Sequence, residues 1–310
     1  MTIACVFPGQ GSQSVGMLAA LAAAYPEVEE TFKLASEALD YDLWRLTQQG
    51  PEEDLNRTDR TQPAMLAAGV AVWRVWQKRH GAQPAFMAGH SLGEYTALVC
   101  AEAIDVASAT RLVAERGRYM QEAVPPGQGA MAAILGLADE QVGTACEQAA
   151  QGEVVAAVNF NSPGQVVIAG HSDAVARAVE IARQSGAKRA VVLPVSVPSH
   201  CSLMGPAAER LALYLYDVKI MPPRIPVFSN VDVTPCETPE AIRDALVRQL
   251  VRPVQWVEII RTMADKGVDC IVECGPGKIL AGLNRRIDRD MTALPVQDPA
   301  TLDEALAATA

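Results

Sequence analysis

Two short apolar runs each break at a glycine-rich turn and pass straight into a helical pattern, and this repeat most constrains the fold. The first run, Ile3 to Phe7, ends at Pro8-Gly9-Gln10-Gly11-Ser12-Gln13. The second, Ala85 to Ala88, leads into Gly89-His90-Ser91-Leu92-Gly93-Glu94-Tyr95, with a helix over Leu92 to Ala101. Strand, sharp turn and helix in succession build a parallel α/β sheet with helices on its faces. Helical spacing also runs over Pro26–Leu39, Pro63–Arg79, Asp105–Ala123, Pro206–Tyr216, Pro239–Leu250 and Val254–Lys266. A strand is expected near Val227 and another over Cys270–Glu273, ending at Gly275-Pro276-Gly277, before an alanine-rich tail.

The stretch from Gly129 to Pro194 follows a different order. Strand (Ala130–Leu135), helix (Asp139–Ala150), two strands (Val154–Asn159 and Gln165–Ala169), helix (Ser172–Ser185) and strand (Arg189–Leu193) make βαββαβ, a ferredoxin-like unit. Pro125-Pro126-Gly127 precedes it and Pro194 to Pro198 follows it, as linkers would. The expected organisation is therefore a larger α/β domain over 1–125 and 198–310, with a ferredoxin-like insertion over 126–197.

Composition excludes several classes of function. The net charge of −10 disfavours a nucleic-acid binder, which needs a basic surface. The seven cysteines, Cys5, Cys100, Cys146, Cys201, Cys236, Cys270 and Cys274, form no CxxC pair and no Cys/His cluster, so free thiols in a reducing compartment and no metal site are expected. MTIACVF lacks the basic and apolar regions of a signal peptide. No apolar stretch reaches the roughly 18 residues of a membrane span. A cytoplasmic chain without membrane partners is expected.

Gly89-His90-Ser91-Leu92-Gly93 fits the G-x-S-x-G nucleophile elbow in its required strand–turn–helix context, which makes Ser91 the candidate nucleophile. Leu92 opens the helix, so its N–H points toward developing negative charge. Gly170-His171-Ser172 repeats the first residues but lacks the second glycine, and Ser172 suits a helix N-cap better. Only four histidines are present. His80 ends a helix, His90 adjoins Ser91 and should diverge from it, and His171 lies in the insertion. His200, where the chain re-enters the larger domain, is left as the base for Ser91. No acid sits where a triad needs one, so a serine–histidine dyad with the imidazole held by a backbone or amide oxygen is expected.

Arg116 shares the apolar stripe of Ala109, Leu112, Val113 and Met120, whereas Arg111 and Arg118 have Glu115 and Glu122 four residues on and should form solvated pairs. An inward guanidinium needs a partner, either an internal acid or a ligand carboxylate bound bidentately. The Phe7–Gln13 turn can supply a second oxyanion donor. Neither it nor Gly275-Pro276-Gly277-Lys278 is a phosphate-binding Walker loop, and no G-x-G-x-x-G dinucleotide fingerprint follows a strand.

The motifs FPGQGSQ (7–13), TQPA (61–64), GHSLGEY (89–95), RG (116–117), NFNSPGQVVIAG (159–170), PSH (198–200) and GPG (275–277) occur in one order along nearly the whole chain. Together they resemble the malonyl-CoA:acyl carrier protein transacylases of fatty acid synthesis. Val197-Pro198-Ser199 before the histidine is similar to the free-standing bacterial type rather than to acyltransferase domains of polyketide synthases. The resemblance implies an α/β-hydrolase-like core with a ferredoxin-like subdomain. It implies Ser91 as the acylated nucleophile, His200 as base, Gln249 holding His200 through its backbone carbonyl, and the Gln10 and Leu92 amides as oxyanion hole. Arg116 would bind the malonyl carboxylate and Asn161 would touch the acyl group. Malonyl-CoA and acyl carrier protein are the implied substrate and partner, with no metal or other cofactor.

The elbow alone is equally that of a serine hydrolase or thioesterase, and a non-catalytic carrier-binding subunit is a rival of another kind. Carrier proteins are acidic, so an acidic chain must receive one on local positive charge, since exposed charges are screened beyond about 10 Å. Two groups are candidates: Lys188 with Arg189, and Lys278 with Arg285 and Arg286.

Overall fold

The computed structural model describes residues 1–195 and 197–310. Eight strands form two sheets: β1 (Ile3–Phe7), β2 (Phe86–Gly89), β3 (Gly129–Leu135), β4 (Val155–Ser162), β5 (Gln165–His171), β6 (Arg189–Val192), β7 (Cys270–Cys274) and β8 (Thr292–Val296). The first sheet is parallel in the order β2-β1-β7-β8, and every residue of β1 and β7 is buried. Such strands need helices on both faces, which is why they read as continuous apolar runs. The second sheet, β4-β5-β3-β6, is antiparallel, and its strands mix buried and half-exposed positions. With its two helices it is ferredoxin-like, formed wholly from residues between the two segments that build the first sheet. The chain thus has a mixed α/β fold.

Register places the functional turns. Phe7 pairs with Gly89 across β1 and β2, so the Pro8–Gln13 turn and the Ser91 turn leave the sheet side by side at its carboxyl edge. Glycines make the approach possible. A Cβ on Gly93 would sit 2.0 Å from the Phe7 carbonyl oxygen, and one on Gly89 would sit 1.8 Å from the Gly93 carbonyl carbon.

The sequence reading departs from the structure at its edges. Val227 makes a single bridge to Met87 rather than a strand. The helix expected from Pro63 begins at Thr58, where the Thr61 hydroxyl donates back to Leu55 and Arg57 carbonyls and Pro63 is carried inside. The alanine-rich tail is preceded by β8, whose Pro295 disguises it. Proline is tolerated there because β8 is an edge strand. The tail itself is a helix, Pro299–Thr309, capped by Asp298. The linker at Pro194–Pro198 includes position 196, which lies outside the described residues. All seven cysteines are free and buried. Among the described residues no helix is long and apolar enough to cross a membrane, and no group of three or more metal-binding side chains is formed.

Candidate active site

Ser91 sits between β2 and helix Leu92–Cys100 with φ 52° and ψ −105°. A positive φ at a non-glycine residue is strained and persists only where its surroundings hold it. Asn230 does so. Its side-chain oxygen accepts from the Ser91 N–H at 2.7 Å and its amide nitrogen donates to the Gly89 carbonyl at 2.7 Å, clamping both sides of the turn.

His200 Nε2 lies 2.8 Å from Ser91 Oγ, and its Nδ1 lies 2.7 Å from the Gln249 carbonyl oxygen. A carbonyl can only accept, so Nδ1 carries the proton and Nε2 is free to receive the one on Ser91. Gln249 is the last residue of helix Pro239–Gln249. Its carbonyl has no intrahelical donor and stands at the negative end of the helix dipole, which lets it do the work of an acid. Burial foremost, and then the Arg116 charge, hold the His200 imidazole down to about 3. The imidazole is therefore neutral at physiological pH.

Arg116, on helix Val106–Ala123, is completely buried. Gly117 brings this helix against the start of helix Thr58–Lys78, where a Cβ would lie 2.6 Å from the Thr58 carbonyl oxygen, and Gln62 thereby faces Arg116. The guanidinium donates to Gln62 Oε1 at 2.8 Å, Gln249 Oε1 at 2.9 Å and Ser91 Oγ at 3.2 Å. All three acceptors are uncharged. Its Nε is buried and unpartnered among the described residues. Of the two partners left open by the sequence, no internal carboxylate accepts from Arg116. Of the neighbouring arginines, Arg118 pairs with Glu122 as expected but also takes Glu115, so Glu115 does not serve Arg111.

Gln10 and Leu92 lie on the two adjacent turns, and neither backbone amide is spent on a hydrogen bond among the described residues. Asn161, near the end of β4, is brought to the site, but its Oδ1 lies 2.8 Å from His90 Nε2. The His90 ring diverges from Ser91 as expected and packs against Trp256. Lys188, Arg189, Lys278, Arg285 and Arg286 are all exposed. Arg286 donates to Gln165 at 2.9 Å, and Gln165, Leu135 and Arg189 form one row across β5, β3 and β6. That row extends to Ser162, next to Asn161, so Arg189 and Arg286 lie at the sheet end that carries Asn161, whereas Arg285 donates to the Ala293 carbonyl of β8.

Sequence reasoning assigned no role to Asn230 or Gln62. Ser229-Asn230-Val231-Asp232 looks like any polar turn and carries no local signal. Gln62 was visible within TQPA, as a polar residue on a helix face with Met65 and Leu66.

Comparisons with known proteins agree with this geometry. A family model described as "Acyl transferase domain" matches residues 4–294. The malonyl CoA-acyl carrier protein transacylase of Escherichia coli O157:H7 is 62% identical over 304 residues, covering 98% of each chain. A Coxiella burnetii protein of the same name superposes with a TM-score of 0.99 at 52% identity, covering 100% of this chain and 98% of that one. A malonyl-transacylase solved in complex with a type II PKS acyl-carrier protein gives a TM-score of 0.98 at 56% identity, covering 99% and 100%. The chain belongs to the acyl transferase family, in the group whose members are named malonyl CoA-acyl carrier protein transacylases.

Proposed function

We propose that the chain is a cytoplasmic enzyme of fatty acid synthesis that moves a malonyl group from coenzyme A to the pantetheine thiol of acyl carrier protein through a malonyl ester on Ser91. The observation that carries this reading is the buried Arg116, bonded only to neutral acceptors, 3.2 Å from the nucleophile. In a malonyl group a single methylene separates the thioester carbonyl from the carboxylate. A site for it must set nucleophile and cation side by side, and an acetyl group would leave the cation without an anion.

The contacts support the following steps. Ser91 Oγ attacks the thioester carbonyl carbon as its proton passes to His200 Nε2. The carbonyl oxygen takes the charge and accepts from the Gln10 and Leu92 amides. Collapse breaks the C–S bond, and the coenzyme A sulfur leaves with the proton from His200. The carrier's pantetheine thiol then gives its proton to His200 and attacks the serine ester, and Ser91 leaves protonated. Asn161 shapes the acyl pocket through His90. Lys188, Arg189 and Arg286, on the sheet end beside Asn161, receive the acidic carrier, with Lys278 and Arg285 adjoining.

Incubation with radiolabelled malonyl-CoA tests the reading. A labelled Ser91 that persists until carrier is added, then passes its label to the carrier, is expected. Release of free malonate without carrier makes the chain a hydrolase instead, and an unlabelled Ser91 makes it non-catalytic.

A further inference from the structure

One buried carboxylate beside the site has no part in the steps above. Glu94 lies three residues beyond the nucleophile on helix Leu92–Cys100 and is 3% exposed. Helical side chains lean back toward the N-terminus, so it returns underneath the elbow. One of its oxygens, Oε2, accepts two hydrogen bonds: from Gln249 Nε2 at 2.7 Å and from the Asn230 N–H at 3.1 Å. These are two residues that hold the reacting groups. Asn230 clamps the Ser91 turn through its side chain. Gln249 holds His200 through its backbone and Arg116 through Oε1.

A glutamine amide has an acceptor end and a donor end, and packing alone distinguishes them poorly. At position 249 only the acceptor end suits Arg116, because the amino end would set N–H donors against a guanidinium that can itself only donate. Gln249 Nε2 also donates to the Ser91 carbonyl at 3.0 Å, but its bond to Glu94 is shorter and is accepted by a carboxyl oxygen. Burial pushes the Glu94 carboxyl up to about 7, while Gln249, the Asn230 N–H and Arg116 pull it back, in that order.

We propose that Glu94 is the positioning residue for malonyl selectivity: it fixes the Gln249 amide with its oxygen toward Arg116, and through Asn230 it ties that arrangement to the nucleophile turn. The proposal rests on the transferase reading above. It places selectivity in the orientation of a neutral amide as well as in the arginine. It requires only that one oxygen at position 94 accept both bonds, so glutamine can serve there and alanine cannot.

The test measures the second-order rate of Ser91 acylation by malonyl-CoA and by acetyl-CoA, followed by mass spectrometry of the intact chain. Glu94→Gln should stay within about threefold of the parent with both donors, because its amide oxygen can replace Oε2. Glu94→Ala should lose about 10- to 100-fold with malonyl-CoA, and its malonyl-to-acetyl ratio should fall at least about fivefold, because the freed amide can turn. Should Glu94→Ala fail to fold, Glu94→Asp, whose carboxyl is one methylene short, must lower the ratio in the same direction. An unchanged ratio in the folded alanine or aspartate variant overturns the proposal, as does a glutamine variant as damaged as the alanine one. A parent that accepts acetyl as readily as malonyl overturns the malonyl preference assigned to Arg116 and the role of Glu94 together. A selective parent whose ratio survives Glu94→Ala overturns the role of Glu94 alone.

Discussion

The two sheets of this chain divide its labour unevenly. Ser91, Gln10 and Leu92 leave the carboxyl edge of the parallel sheet, and Arg116, His200 and Gln249 come from the chain that packs around it. The antiparallel sheet brings Asn161, held on His90, and the exposed Arg189, while Arg286 reaches its edge from a helix. The central parallel strands β1 and β7 are buried throughout, whereas β4 and β6 of the antiparallel sheet are partly solvated. Ser91 and the groups that meet it within hydrogen-bonding distance belong to the first sheet and the chain packed around it. The second sheet reaches this cluster by way of Asn161 on His90.

The division breaks if changes on the small sheet cost as much as changes at the core. Ser91→Ala should remove acylation by about 10⁴-fold or more, read as loss of label from malonyl-CoA. Arg116→Ala should cut malonyl transfer by about 10²- to 10³-fold while sparing acetyl transfer, which a competition between the two donors shows. Reversing Lys188, Arg189 and Arg286 to glutamate should raise the KM for carrier about 10-fold and leave self-acylation intact; equal loss in both would put these residues in the catalytic machinery. Asn161→Ala should cost about three- to 10-fold in kcat/KM for malonyl-CoA, since it frees His90 without touching Ser91.

The smallest effect concerns pH. The His200 imidazole is lowered to about 3, so the neutral base persists as pH falls and is lost only as pH passes through that value. Acylation at pH 5 should stay within about twofold of its rate at pH 7, where an imidazole of ordinary pKa would lose about 25-fold. A fall centred near 6.5 would mean that His200 is solvated.

What was legible in the sequence follows the same division. The elbow is local: glycines at 89 and 93 are required by contacts within a few residues and with Phe7, so a short motif implies the geometry. The βαββαβ order was legible because half-buried strands alternate and their helices are amphipathic. Asn230 was not, because it lies 139 residues from the Ser91 amide it holds and its own neighbours give it the look of a turn. The Arg111 pairing failed because spacing on a helix offers Arg118 the same glutamate from the other side, and tertiary packing decides between them. β8 was hidden because proline counts against a strand until the strand is known to be an edge.

Position 249 performs two tasks through chemically separate parts. A triad acid is a side chain, and one mutation can erase it. Here the group that holds the base is a main-chain carbonyl, which every substitution inherits unchanged. The amide that faces Arg116 carries no such protection. A lineage of such chains can therefore explore new acyl groups by altering side chains at and around position 249 without surrendering the serine's reactivity. Preference is open to evolutionary revision while the group that holds the imidazole is written into the backbone.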